Sequence, residues 1–242
     1  MKALLITFAL LGLTVAQRQP ARDVISKFRE VAPKYLDIVK VGEADLGLVQ
    51  GEAREMMGKF HQDMIRIKES YVVAAIRKEK GMHGQITSQP DTVDQTCLGF
   101  LNTTLDMSMD LMGASFTNCI NTADDTYSGI VADFLNATEA QETVLNELRL
   151  LDVFRGDNVF YLNSPQNIID KLEKKLSDME LSPESLNANL NAIKESLKNA
   201  LESIRFQYVL CMTQAEQLLN SEVDLMMAQL TFSCLGSVVS EE

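Results

Sequence analysis

Tryptophan is absent from this 242-residue chain, and aromatic residues make up only 6% of it. A core without large rings has to be built from Leu, Ile, Met and Ala, which suits slim helices packed side by side. Glycine and proline are both missing between Glu184 and Cys234, so nothing in that stretch interrupts a helix. After the first 16 residues no apolar run approaches the ~20 residues that span a bilayer. The expectation is a chain with no integral membrane segment. The final residues, Ser237 to Glu242, match neither a lipid-anchor signal nor an ER-retention tetrapeptide.

Reactive side chains are equally scarce. There are only two histidines, His61 and His83, and neither has a second histidine one helical turn away. No Cys-x-x-Cys pair exists, which argues against zinc. The phosphate-binding glycine loop, the Gly-x-Ser-x-Gly elbow and the His-Glu-x-x-His helix are all missing. Acidic pairs such as Asp124-Asp125 read as helix surface, because regular helices are a poor source of a catalytic carboxylate pair. The chain is expected to be a non-enzyme with no catalytic residues, no cofactor and no metal.

What is present begins with a leader. Lys2 is a charged start, Ala3 to Val15 is an apolar core too short for a membrane span, and Thr14-Val15-Ala16 supplies small residues for signal peptidase. The mature chain is expected to start at Gln17. Loss of Lys2 then moves the net charge from −12 to −13. An acidic surface of this kind repels nucleic acid and anionic lipid, so neither is expected as a partner. Two N-glycosylation sequons, at Asn102 and Asn136, fit a secreted, extracellular glycoprotein. Asn163-Ser164-Pro165 is disfavoured as a third by its proline.

Residues 17–80 read as an N-terminal helical arm. Val24, Phe28, Val31 and Leu36 form one apolar stripe, interrupted at Pro33. Leu48, Met56, Phe60, Met64, Ile67, Tyr71 and Ala74 or Ala75 form a second. Gly42, Gly47 and Gly51 are expected to loosen the join. Residues 81–90 read as a linker, followed by a cap at Asp91 or Thr92. Residues 91–236 would be the main domain and 237–242 a tail.

In that domain, apolar residues recur at three- and four-residue steps from Leu98 to Leu151, close to a coiled-coil seam. Gly99, Gly113 and Gly129 each cost up to ~1 kcal/mol against Ala. Asn121 to Ser128 is polar enough for a break, but the seam keeps its phase, favouring one long helix. Arg155-Gly156-Asp157 spells the integrin-binding tripeptide, although a helix-ending glycine with polar neighbours is the plainer reading. Ser164 and Pro165 are expected to start a short helix, and Ser182-Pro183 the long final one. The stripe of that helix is Leu186, Leu190, Ile193, Leu197, Leu201, Ile204, Tyr208, Cys211, Ala215, Leu218, Met226 and Leu230.

Four cysteines in a secreted chain imply two disulfides. Residues 97 and 119 would lie roughly 33 Å apart on one helix, whereas bridged Cα atoms must approach within ~7 Å. The same holds for 211 and 234, leaving two cross-helix patterns. In the antiparallel pattern, Cys97 pairs with Cys234 and Cys119 with Cys211. Their index sums are 331 and 330, and half of that falls at Pro165, in the expected turn. The parallel pattern, 97 with 211 and 119 with 234, also matches in length but needs the chain to travel back first. On an ideal helix Cys211 and Cys234 do not share a face, so some local change must bring Cys234 round. The expected fold is all-α: a long antiparallel helical hairpin or bundle stapled by two disulfides, with an N-terminal helical arm.

Five methionines stand out. Met107, Met109 and Met112 would face Met226 and Met227 between the staples in the antiparallel register. Methionine is pliable and polarizable, so this zone is a possible apolar ligand or partner surface, with ordinary bundle core the alternative.

A secreted chain of long helices with Cys97 and Cys119 in one and Cys211 and Cys234 in another resembles the tsetse EP domain family of insect secreted proteins. The resemblance covers about Thr92 to Gly236. It implies an extracellular, non-enzymatic protein of insect gut, epithelial or immune secretion, without catalytic residues to carry over. The Glu-Pro repeat tail of the founding member is absent here. The functional expectation is therefore a secreted helical interaction protein with an unknown protein partner. The alternative is an extracellular carrier of lipid or another small apolar ligand.

Overall fold

Apolar spacing carries three helices past nearly every local punctuation mark. In the computed structural model, α1 is Lys2–Thr87, α2 is Gln95–Glu147 and α3 is Ser164–Gln229. A 3-10 turn, Leu150–Phe154, lies between α2 and α3, and a π turn, Leu230–Cys234, follows α3. The structure describes the backbone of residues 2–147, 149–159 and 164–236, and the side chains of 20–146, 149–159, 164–179 and 184–236. No strand occurs among the described residues. The fold is all-α, with three long helices and two disulfides, Cys97–Cys234 and Cys119–Cys211. The antiparallel cysteine pattern is thus the one adopted. The leader lies within residues whose side chains are not described, and the tail lies outside the described residues.

The chain divides into two compact units, 1–53 with 133–196 and 54–132 with 197–242. In the first, Lys27 Nζ lies 3.5 Å from Glu173 and Lys194 Nζ lies 3.0 Å from Glu52, pairing α1 with α3. Phe28 meets Phe154 with ring centroids 5.7 Å apart. At Gly42, α1 lies against side chains of both neighbours. A Cβ there would stand 2.6 Å from Leu145 Cδ2 and 3.0 Å from Leu186 Cδ2.

The second unit has a register that closes on itself. Tyr71 bonds Thr213 and Lys78 bonds Asn220, both across 142 positions, so α1 and α3 run parallel. Phe60 stacks on Tyr127 and Tyr71 meets Phe116 edge-on, both pairs summing to 187, so α1 and α2 run antiparallel. Together these relations require α2 and α3 indices to sum to about 329. The disulfide pairs, at 331 and 330, satisfy that independently.

Several local expectations give way to packing. Pro33 does not interrupt α1; its ring is exposed while Val31 is fully buried beside it. The ~3 kcal/mol cost of an internal proline is offset by burial along the rest of the helix. The expected linker is helical to Thr87, because Met82 and Ile86 are only 2% and 3% exposed and anchor that last segment. The final helix starts at Ser164 instead of Ser182. Leu36, Leu48, Leu151 and Leu218 are exposed, and the core uses Leu46, Val49, Leu150 and Leu219. For Leu48, Leu151 and Leu218 the miss is a shift of one or two positions, which rotates a side chain from the core to a flank, whereas Leu36 has no buried residue within two positions.

The polar segment of α2 stays helical, with Ala123 buried within it and its threonine hydroxyls bonded inside the helix. Thr117, Thr122 and Thr126 each donate to the carbonyl four residues back. Thr138, buried, does the same to Phe134.

Candidate functional site

The second unit holds both disulfides, and its side-chain phases divide each helix into three strips. On α3, Thr213 and Asn220 reach α1, seven residues apart. Cys211 reaches α2. Between these flanks, Met212, Leu219 and Met226 repeat at seven-residue steps and are almost fully buried. On α2, Asn102 bonds His83 and Phe116 meets Tyr71, marking the flank toward α1. Cys97 and Cys119 mark the side toward α3.

Cys234 reaches its partner through the π turn. Leu235 N–H donates to Leu230 O, 3.1 Å away and five residues back. Such a turn advances fewer degrees per residue than an α-helix. It reduces the angular excess that would leave Cys234 off the face, and Cys234 is fully buried.

The five methionines separate on this frame. Met112 and Met226 are core, at 4% and 2% exposure. Met109 lies midway between Asn102 and Phe116 in heptad phase, and Met227 follows Thr213 and Asn220, so both half-buried residues occupy flanks toward α1. Met107 alone is well exposed, at 61%. Met109, Met112, Met226 and Met227 thus lie in the core or along the side on which α1 packs, and Met107 does not join them.

A different apolar strip is left uncovered. Leu218, Leu225 and Phe232 follow Cys211 at successive seven-residue steps, on the α2 side of α3, and are 60–80% exposed. Across the seam, Leu111 repeats the phase of Cys97, while Phe100 and Met107 sit one step further outward. All three are more than 60% exposed. The register puts Phe100 level with Phe232, Met107 with Leu225 and Leu111 with Leu218. The strip is masked in sequence because Leu218 fits the apolar stripe of the final helix; the seven-residue spacing from Cys211 is the signal that marks it.

The remaining candidates have structural roles. Gly156 takes φ +82°, a left-handed conformation suited to glycine, just after the 3-10 turn. The Asp157 carboxylate faces inward, with 11% of its side chain exposed. It accepts from Lys171 Nζ at 2.5 Å, Ser164 Oγ at 3.1 Å and Asn167 Nδ2 at 3.4 Å. The Lys171 hydrogen bond, with smaller help from Asn167 and Ser164, holds its pKa below the usual carboxylate value. An acid so engaged is not presented as a tripeptide ligand.

Of the sequon asparagines, Asn136 is exposed, while Asn102 is half-buried with its Oδ1 2.9 Å from His83 Nδ1. His61 is exposed and lies edge-on to Tyr127 at 4.6 Å. Burial raises the phenol pKa of Tyr127, and burial followed by the charge of Asp124 raises that of Tyr208, so both stay protonated near neutrality. A cavity of about 40 Å³ beside the inner staple is lined in part by Ala123, Ile204 and Tyr208. Among the described residues no group of three or more His, Cys, Asp or Glu could hold a metal ion, and no helix is long and apolar enough to cross a membrane.

No protein-family model, curated protein or solved structure matches this chain.

Proposed function

We propose that this is a secreted, non-enzymatic interaction protein whose second unit presents the Phe100–Phe232 strip as its binding face. The observation that carries the reading is the exposure of six large apolar side chains at matched levels on two helices. Large apolar side chains gathered on one face, unlike ones scattered singly, mark interaction sites. The strip lies across the helix pair joined by both disulfides, so it binds without first paying ordering entropy. Two disulfides are consistent with an extracellular location, and the leader-like start and the sequons at Asn102 and Asn136 support the same placement. The likeness to the tsetse EP family adds an insect gut, epithelial or immune setting to the proposal.

Expression of the full chain in insect cells tests the placement. The expected product is in the medium, begins at Gln17 and loses mass on deglycosylation; retention in the cytosol with free thiols would contradict it.

The second reading, an extracellular carrier of lipid or another apolar ligand, draws on the same strip. The cavity beside the inner staple is far smaller than the 300 Å³ or more of an ordinary ligand pocket. At the second unit a lipid would therefore lie on the face and not in the cavity beside Cys119–Cys211. Solvent extraction of the secreted protein distinguishes the two: stoichiometric lipid supports the carrier, its absence the interaction protein.

A further inference from the structure

Charge on the second unit is sharply partitioned between its helices. No lysine or arginine occurs from Gly81 to Leu148, nor anywhere after Arg205. All of α2, and α3 beyond Arg205, therefore carry only negative formal charge. The unit's cations lie on α1 and at Lys198 and Arg205. Asp110 adjoins Leu111, and Glu222 lies between Leu218 and Leu225; both are exposed and the register places them level. Asp106 and Asp224, also exposed, stand further round the two helices. The apolar strip thus has an acidic border with no cation in it.

That border decides between occupants. A second copy would bring the same carboxylates against each other, and the chain's charge of −12 adds to the repulsion. An anionic membrane is repelled for the same reason. A cationic segment is attracted, and an elongated apolar strip between two helices accepts the apolar side of an amphipathic helix, read at i, i+3, i+4 and i+7. Building on the interaction reading above, we propose that the outer α2–α3 face of the second unit docks a basic amphipathic helix. Its apolar residues lie along Phe100, Met107, Leu111, Leu218, Leu225 and Phe232, and its lysines or arginines reach Asp110 and Glu222.

The test uses the intact, disulfide-bonded protein and three labelled three-heptad peptides: a Leu/Lys amphipathic helix, its Leu/Glu counterpart, and a Leu/Lys scramble of identical composition without a helical stripe. Anisotropy titration should find binding of the first, weakening as salt rises, and little of the other two. Leu111→Ser with Leu225→Ser, and separately Asp110→Lys with Glu222→Lys, should each weaken it about tenfold or more, as losing anchors or charge partners does. Ile65→Ser, an exposed apolar control on α1, should leave it unchanged. These are surface positions, and circular dichroism checks that each variant remains folded.

Equal binding of the scramble would reduce the effect to ion exchange and overturn the proposal. So would preference for the Leu/Glu helix, absence of binding by all three peptides, or insensitivity to both double variants. Strip-dependent binding to phosphatidylcholine vesicles without peptide binding would assign the face to lipid instead. A non-helical or acidic protein cross-linked to the strip in the secreted fluid would sink the basic-helix proposal and leave the interaction reading intact. A chain that never leaves the cytosol would sink that reading first.

Discussion

Tyr71 and Thr213 share a hydrogen bond of 2.6 Å across 142 positions. Thr213 Oγ1 also donates to Val209 O at 2.8 Å, so the tyrosine hydroxyl is the donor in this pair. The bond fixes the parallel register of α1 and α3 in the second unit, and the same separation recurs at Lys78 and Asn220. Tyr71→Phe should cost about 1 kcal/mol, the usual net worth of a partly buried neutral hydrogen bond. A double-mutant cycle with Thr213→Val, followed by urea denaturation, should return most of that as coupling. Strict additivity would mean the contact contributes nothing.

Two glycines in α1 and α2 should respond oppositely to the same substitution. Gly113 has open space where a Cβ would go, so Gly113→Ala should stabilise by up to about 1 kcal/mol through helix propensity. At Gly42 the new methyl meets Leu145 and Leu186, both buried, within 3.0 Å. Overpacking of about 1–3 kcal/mol should exceed the propensity gain, and Gly42→Ala should lower the melting temperature. Thermal unfolding of the two variants side by side checks the contrast.

Acid should loosen the connection around Asp157. The Lys171 hydrogen bond lowers the folded carboxyl's pKa below its unfolded value. The resulting stability is present above the unfolded value and is lost as pH falls through the folded one. Amide protection factors in 150–157 and 164–171, taken relative to intrinsic exchange at each pH, should fall on acidification below the ordinary carboxylate range. Asp157→Asn should already exchange faster at neutral pH and lose that acid dependence. A wild-type segment indifferent to acid would show that the bond does not hold it.

The staples close long loops, 137 and 92 residues apart in sequence. Removing one by Cys119→Ser with Cys211→Ser should cost about 3–5 kcal/mol by the chain-entropy account. Non-reduced peptide mapping should recover 97 with 234 and 119 with 211; a 97–211 fragment would overturn the register. Met112 and Met226 should resist peroxide while both staples are intact, and Met107 should oxidise first.

Much of this architecture was legible in the residues. Constant index sums among the cysteines, with half the sum falling at Pro165, beside the start of α3 at Ser164, point to the antiparallel pair from sequence alone. Punctuation was the weaker signal: Pro33, Gly81 and Gly84 lie inside α1 because burial on its inner side outweighs their local cost. Phase at single-residue precision was weaker still. Leu218 and Leu219 are indistinguishable by composition, and only the position of α1 decides which is core. The same ambiguity hid the exposed strip and made the methionines look more accessible than they are. The π turn at Leu230–Cys234 left one trace in sequence, the poor angular fit of Cys234.

The most direct test of the account is photo-cross-linking in the native secreted fluid, with benzoylphenylalanine at Leu225 on the strip and, as control, at the exposed Ile65 on α1. The account predicts one discrete protein adduct from position 225, lost on adding Asp110→Lys with Glu222→Lys and absent from position 65. Equal labelling from both positions, or no protein adduct at 225, would contradict it.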